Sequence, residues 1–136
     1  MLKDLIENGF GKDMDLNCAE KILYGANQAY KLGLDEESLR LAAGFGGGMG
    51  IESTCGALAA SVMVLSTLFV ENVAHKSTKI KALTKELLDE YRALMGDIDC
   101  KPLKASYRTE DIGCDKVIIA AAEVLDRIVS REQKIN

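Results

Sequence analysis

Tryptophan is absent from this chain of 136 residues, and histidine and proline occur once each, as His75 and Pro102. A single histidine leaves no second imidazole for a paired acid and base or a histidine metal site. His75 itself lies in a polar stretch that reads as an exposed loop. One proline excludes proline-rich linkers, and Pro102 is expected in a loop between the last two long helices, where it interrupts nothing. Cationic excess is also missing: 17 basic residues face 21 acidic ones, a formal charge of −4. That balance excludes binding nucleic acid by broad phosphate neutralisation. The run Lys76, Lys79, Lys81 and Lys85, followed by Glu86, Asp89 and Glu90, reads as a solvated helix face. Asp4 and Glu7 fall where a secretory signal needs an uncharged apolar stretch, so a cytoplasmic location is expected.

No membrane span is expected either. The longest uncharged stretch, 53–70, contains Ser53, Thr54, Ser61, Ser66 and Thr67 and is flanked by Glu52 and Glu71. It reads as a buried central helix. With 48% apolar and 28% charged residues, the chain has the composition of one globular domain spanning 1–136.

Apolar residues recur at helical spacing and no alternating strand pattern persists. Behind a short amphipathic N-terminal segment, five helices are expected. The first runs from about 17 to 32, with Ala19, Ile22, Leu23, Ala26 and Tyr30 on one stripe, Asn17 as N-cap, Glu20 three residues on, and Gly33 as the stop. A short second helix follows Asp35 and ends at Gly44. The third occupies about 54–70. The fourth carries Ile80, Leu83, Leu87, Tyr91 and Leu94 inward before Gly96, and the fifth, about 114–131, does so with Val117, Ile118, Ala121, Leu125 and Ile128. The fold class is all-α: a compact bundle of four to five helices with a glycine-rich loop before the central buried helix.

The four cysteines, 18, 55, 100 and 114, are separated by 36, 44 and 13 residues. No CxxC pair exists, which excludes zinc-ribbon, thioredoxin-type and CxxCH haem-attachment patterns, so no covalent haem is expected. Cys18, Cys55 and Cys114 fall in the first turns of expected helices, and Cys100 lies just past the end of another. Helices that alternate in direction would bring all four to one end of the bundle, facing inward. Helix N-termini favour thiolate over thiol, so depressed thiol pKa values are expected there.

Upstream of Cys55, the run 44–50 holds five glycines in seven residues. It lacks GxGxxG, a preceding strand and a GK[ST] ending, which argues against the usual nucleotide loops and leaves a flexible connection as one reading. Its backbone can instead approach a group closely and present N–H donors to it. Gly46, Gly47, Gly48 and the neighbouring Gly56 are the candidate cofactor-contacting glycines.

The segments Asn17-Cys18-Ala19-Glu20, Gly44-Phe45-Gly46-Gly47-Gly48 and Cys55-Gly56-Ala57, followed by Cys100 and Cys114, resemble the C_GCAxxG_C_C family of redox-active proteins over nearly the whole chain. Ala60 stands where the CGAxxG pattern has its last glycine, which implies altered local packing. The resemblance implies redox activity and a functional link to a transporter. A similar domain occurs in haem-containing split-Soret cytochromes.

Three functions are compatible with these residues. In the first, a possible thiol oxidoreductase, two of the four thiols cycle with a disulfide in contact with a small oxidant or a redox partner. Cys55 would then be the nucleophile, and Cys18 or Cys114 the resolving thiol. In the second, Cys18, Cys55, Cys100 and Cys114 together hold zinc or an iron–sulfur cluster. In the third, the protein is a helical interaction module, a possible homo-oligomer, with inert packed cysteines. Hydrolytic machinery finds no nucleophile and base pair.

Overall fold

The long helices begin where a polar residue or a cysteine interrupts the apolar period, and those within 18–95 end where the chain turns left-handed or extended. The computed structural model describes residues 1–135. Seven α-helices are present among them: α1 (Leu2–Glu7), α2 (Cys18–Ala29), α3 (Glu36–Leu39), α4 (Gly56–Phe69), α5 (Ile80–Met95), α6 (Cys100–Tyr107) and α7 (Asp115–Ile135). No strand forms among the described residues, whose only β-pairing is two isolated bridges. No helix is long and apolar enough to cross a membrane.

The uncharged segment does become the centre. Along α4, Ala57, Leu58, Ala60, Val64 and Leu65 are completely buried, and the helix lies against α2, α5 and α7. Ser61, its one fully buried hydroxyl, donates to the Ala57 carbonyl at 2.7 Å, so the core carries no unpaired polar group there. Ala60, at the position where CGAxxG has glycine, is fully buried among its neighbours, so this contact tolerates a methyl group.

Expected and observed elements differ in four places. The first long helix stops at Ala29, with Lys31 and Gly33 both left-handed after it. Leu94 is half exposed, because α5 ends at Met95 beyond the edge of the core. The glycine run is not an open loop: residues 40–45 form a 3-10 turn and 48–52 a second tight turn. Pro102 is helical. It occupies the third position of α6, where a backbone N–H has no intrahelical acceptor and its loss costs nothing.

One carboxylate ties the chain ends together. Asp126 of α7 accepts from the Leu2 and Lys3 amides, each at 2.9 Å, and from the Tyr30 hydroxyl at 2.5 Å. It caps α1 and anchors the end of α2. Burial, reinforced by the hydrogen bond to Asp126, pushes the Tyr30 phenol well above its ordinary value. Asp126→Ala would leave three donors without their acceptor and is expected to cost about 2–3 kcal/mol in urea unfolding. A loss below about 0.5 kcal/mol would show that α1 does not depend on this residue.

Candidate functional site

Four helix starts meet at one place. Cys18 is the first residue of α2 and Cys100 the first of α6, while Cys55 and Cys114 immediately precede α4 and α7. The Cys55 carbonyl accepts from Ala59 N–H and the Cys114 carbonyl from Ile118 N–H, each at 3.0 Å, so both residues stand at the cap of their helix. The expected gathering of the four thiols is therefore present, and it includes one helix start, that of α6, that the sequence reading did not contain.

Local chemistry fixes each position. Asn17 and Glu20 form a reciprocal capping box at the start of α2, with side chain to backbone distances of 2.9 and 3.0 Å. The Asn17 amide also donates to the Ala43 carbonyl at 2.9 Å, which holds the glycine-rich segment against α2 beside Cys18. Gly46 permits this, since a β-carbon there would lie 2.4 Å from the Asn17 amide nitrogen. Gly47, Gly48, Met49 and Gly50 then run consecutively left-handed. Glycine takes that conformation freely, whereas Met49 adopts it at a cost of about 1 kcal/mol.

A clasp between two extended segments follows. Ser53 donates back to the Gly48 carbonyl at 3.0 Å, and Thr54 and Asp99 form an antiparallel bridge. In it the Cys55 amide donates to the Ile98 carbonyl at 2.8 Å and the Cys100 amide to the Ser53 carbonyl at 2.6 Å. Cys55 and Cys100 are held side by side by backbone rather than by their side chains. On the other flank, a β-carbon on Gly56 would lie 2.8 Å from the Cys18 sulfur, so the absence of a side chain there lets Cys18 close on the start of α4.

All four cysteines line one cavity of about 380 Å3. Its wall is otherwise largely apolar, from Leu16, Leu103, Ile112, Val117 and Ile118, with Lys21, Lys104 and Arg108 supplying positive charge. Of the four candidate glycines, Gly47 and Gly56 face this cavity, whereas Gly46 and Gly48 act behind it by letting the backbone pack closely. His75 lies exposed in a 3-10 turn elsewhere in the fold.

The electrostatics reverse one expectation. Cys55 is only 4% exposed, and burial pushes its thiol up to about 12, against the opposing pull of the Leu58 and Ala57 amides. Burial also raises the Cys100 thiol despite nearby Lys104, and the Cys114 thiol despite Arg108 and Lys104. Helix ends thus act in the expected direction, but desolvation wins. Cys18 and Cys114 are the partly exposed members of the set, and Cys55 and Cys100 are the buried ones.

Lys21, Lys104 and Arg108 are site residues that the sequence reading missed. Lys104 and Arg108 do fall four and eight residues after Cys100, a spacing that places them near one face once α6 is recognised. Lys21 pairs with Asp115 at 3.6 Å and Lys104 with Glu52 at 3.4 Å, while Arg108 has no ion pair among the described residues.

A metal ion fits this arrangement poorly. A single zinc requires four ligands about 2.0–2.3 Å from one point. Among the described residues, no three His, Cys, Asp or Glu side chains are grouped to hold one ion. The four cysteines line a common cavity without forming such a group.

No curated protein and no solved structure matches the chain. A family model described as "Putative redox-active protein (C_GCAxxG_C_C)" matches residues 16–128, an interval that contains all four cysteines, the glycine run and the clasp. The chain belongs to that family.

Proposed function

We propose that the cysteine-lined cavity is a dithiol redox centre, with Cys18 as the attacking thiol and Cys55 as its resolving partner. The observation that carries this reading is the convergence of four helix starts, each bearing a cysteine, on one cavity. Cys18 is partly exposed and its sulfur lies against Gly56, next to Cys55, whereas Cys55 is buried with a raised thiol. An accessible attacker beside a buried resolver suits stepwise exchange, because only the first thiol must meet the oxidant. These roles invert those expected from helix ends alone. In the reaction, Cys18 and Cys55 together lose two protons and two electrons and form one disulfide, and the electrons pass to the oxidant.

Counting thiols tests the reading. Protein purified without oxygen should expose fewer alkylatable thiols after mild oxidation, by two per chain, and dithiothreitol should restore both. Mass mapping should find Cys18 joined to Cys55, and Cys18→Ser should remove at least nine-tenths of the effect. Four thiols unchanged by oxidation would end the proposal.

A second reading has one observation in its favour: the cavity carries four cysteines where a dithiol needs two. An iron–sulfur cluster is held by four thiolates around a body several ångströms across rather than around a single ion. Iron, labile sulfide and visible absorption in the anaerobically purified protein would select this reading over the dithiol one.

A further inference from the structure

We propose that the natural oxidant of this cavity is a small organic disulfide bearing carboxylates, recognised by Arg108 and Lys104. The inference rests on the dithiol reading and adds a substrate class to it.

The cavity's composition carries the argument. Much of the wall beside the sulfurs is apolar, with Leu103, Ile112, Val117 and Ile118 on it. An alkyl disulfide would bury its S–S group and methylenes against such a surface. Lys21, Lys104, Arg108 and Asp115 line the same cavity. A second, open depression is lined by Lys104, Arg108 and Gly113, which also line the cysteine cavity, so the two spaces are contiguous across those residues. Beyond them the outer depression continues along Lys101 and Thr109.

A ligand with its disulfide at the thiols therefore places its ends at a cationic boundary. Asp115 lines the inner cavity and Glu52 the outer depression, and each is engaged by a lysine. Arg108, exposed at the end of α6 and without an ion pair among the described residues, is free to take a carboxylate in bidentate fashion. Glu110 also lines the outer depression and opposes a second negative group there.

The exchange balances without another reagent. The Cys18 thiolate attacks one sulfur of the bound disulfide, the S–S bond breaks, and one thiolate leaves as a mixed disulfide forms. Cys55 then gives up its proton and attacks the Cys18 sulfur, which closes the Cys18–Cys55 disulfide and expels the second thiolate. Two released thiols carry away the two protons and two electrons.

Three disulfides of similar size test the proposal: anionic 3,3′-dithiodipropionate, neutral 2-hydroxyethyl disulfide and cationic cystamine. Oxidation of the reduced full-length protein is followed at low salt, and each rate is divided by that of the same disulfide with free mercaptoethanol. The anionic probe should lead the neutral one by about tenfold and the cationic one by more, with the preference shrinking as salt rises. The double variant R108Q/K104Q should reduce the anionic-to-neutral ratio to within about twofold of unity, while K85Q, on α5 away from the cavity, should keep it. A ratio near one in the wild-type protein, with two thiols still oxidised, would overturn the carboxylate proposal and leave the dithiol reading standing. If none of the three oxidises any thiol, both fail.

Discussion

Replacing Gly56 by alanine is expected to destabilise the protein by about 3 kcal/mol, a fall of roughly 10 °C in melting temperature for a domain of this size. A β-carbon there would lie 2.5 Å from the Phe45 carbonyl oxygen, 2.8 Å from the Cys18 sulfur and 3.1 Å from the Phe45 carbonyl carbon. Two of those atoms are backbone and cannot swing aside. The 3-10 turn ending at Phe45 would have to move, and with it the contact through which Asn17 holds the segment against α2. The same shift would part Cys18 from Cys55. Thermal unfolding and the thiol count after oxidation should therefore both suffer in one variant, and a variant that melts within 2 °C of the wild type would show that the turn can yield. Ala60 sets the contrast, being a fully buried methyl at the other glycine position of the CGAxxG pattern. One glycine of that pattern is imposed by backbone proximity here, and the other is not.

The sequence expresses the helices through burial, and burial is periodic. Ala19, Ile22, Leu23 and Ala26 on α2, Leu83, Leu87 and Tyr91 on α5, and Val117, Ile118, Ala121, Leu125 and Ile128 on α7 are all buried as their spacing implies. The capping box at Asn17 was legible for a different reason, since two side chains three residues apart suffice to make it. Helix α6 was not legible by either route. It has eight residues, buries only Cys100 and Leu103, and contains the proline that reads as a loop. Asp99 before it and Pro102 in its first turn are the signals that could have marked its start.

The candidate site divides in the same way. Which cysteines begin helices is a local property, and alternating helix direction then gathers their ends. The clasp between Thr54 and Asp99, by contrast, joins segments 45 positions apart through main-chain bonds, which no side-chain pattern records. Lys21, Lys104 and Arg108 reach the cavity from α2, from α6 and from the residue that follows α6, so no basic run announces them. Desolvation is the least legible term of all: it depends on everything packed around a sulfur, and it outweighs the helix-end effect that sequence position alone suggests.

That term has a measurable consequence at Cys55. Its thiol is pushed up to about 12, against about 8.5 for an ordinary cysteine. At pH 8 its thiolate fraction is then on the order of 1000-fold below that of a free thiol, so iodoacetamide should modify Cys55 at least 100-fold more slowly than a small thiol. Cys18 and Cys114, partly exposed, should be modified before it. The folded state holds the Cys55 proton more tightly than the unfolded state does. This contribution to stability is present in full below about pH 8.5 and is lost as pH rises from there toward 12. Between pH 7.5 and 10 the wild-type protein should lose about 2 kcal/mol more than Cys55→Ala does, because only the wild type must either keep the proton against solvent or bury a charge. Comparing the two proteins removes the titration of every other group from the result. Equal losses in urea unfolding at the two pH values would mean that solvent reaches the Cys55 sulfur, and with it the division into an exposed attacker and a buried resolver would fall.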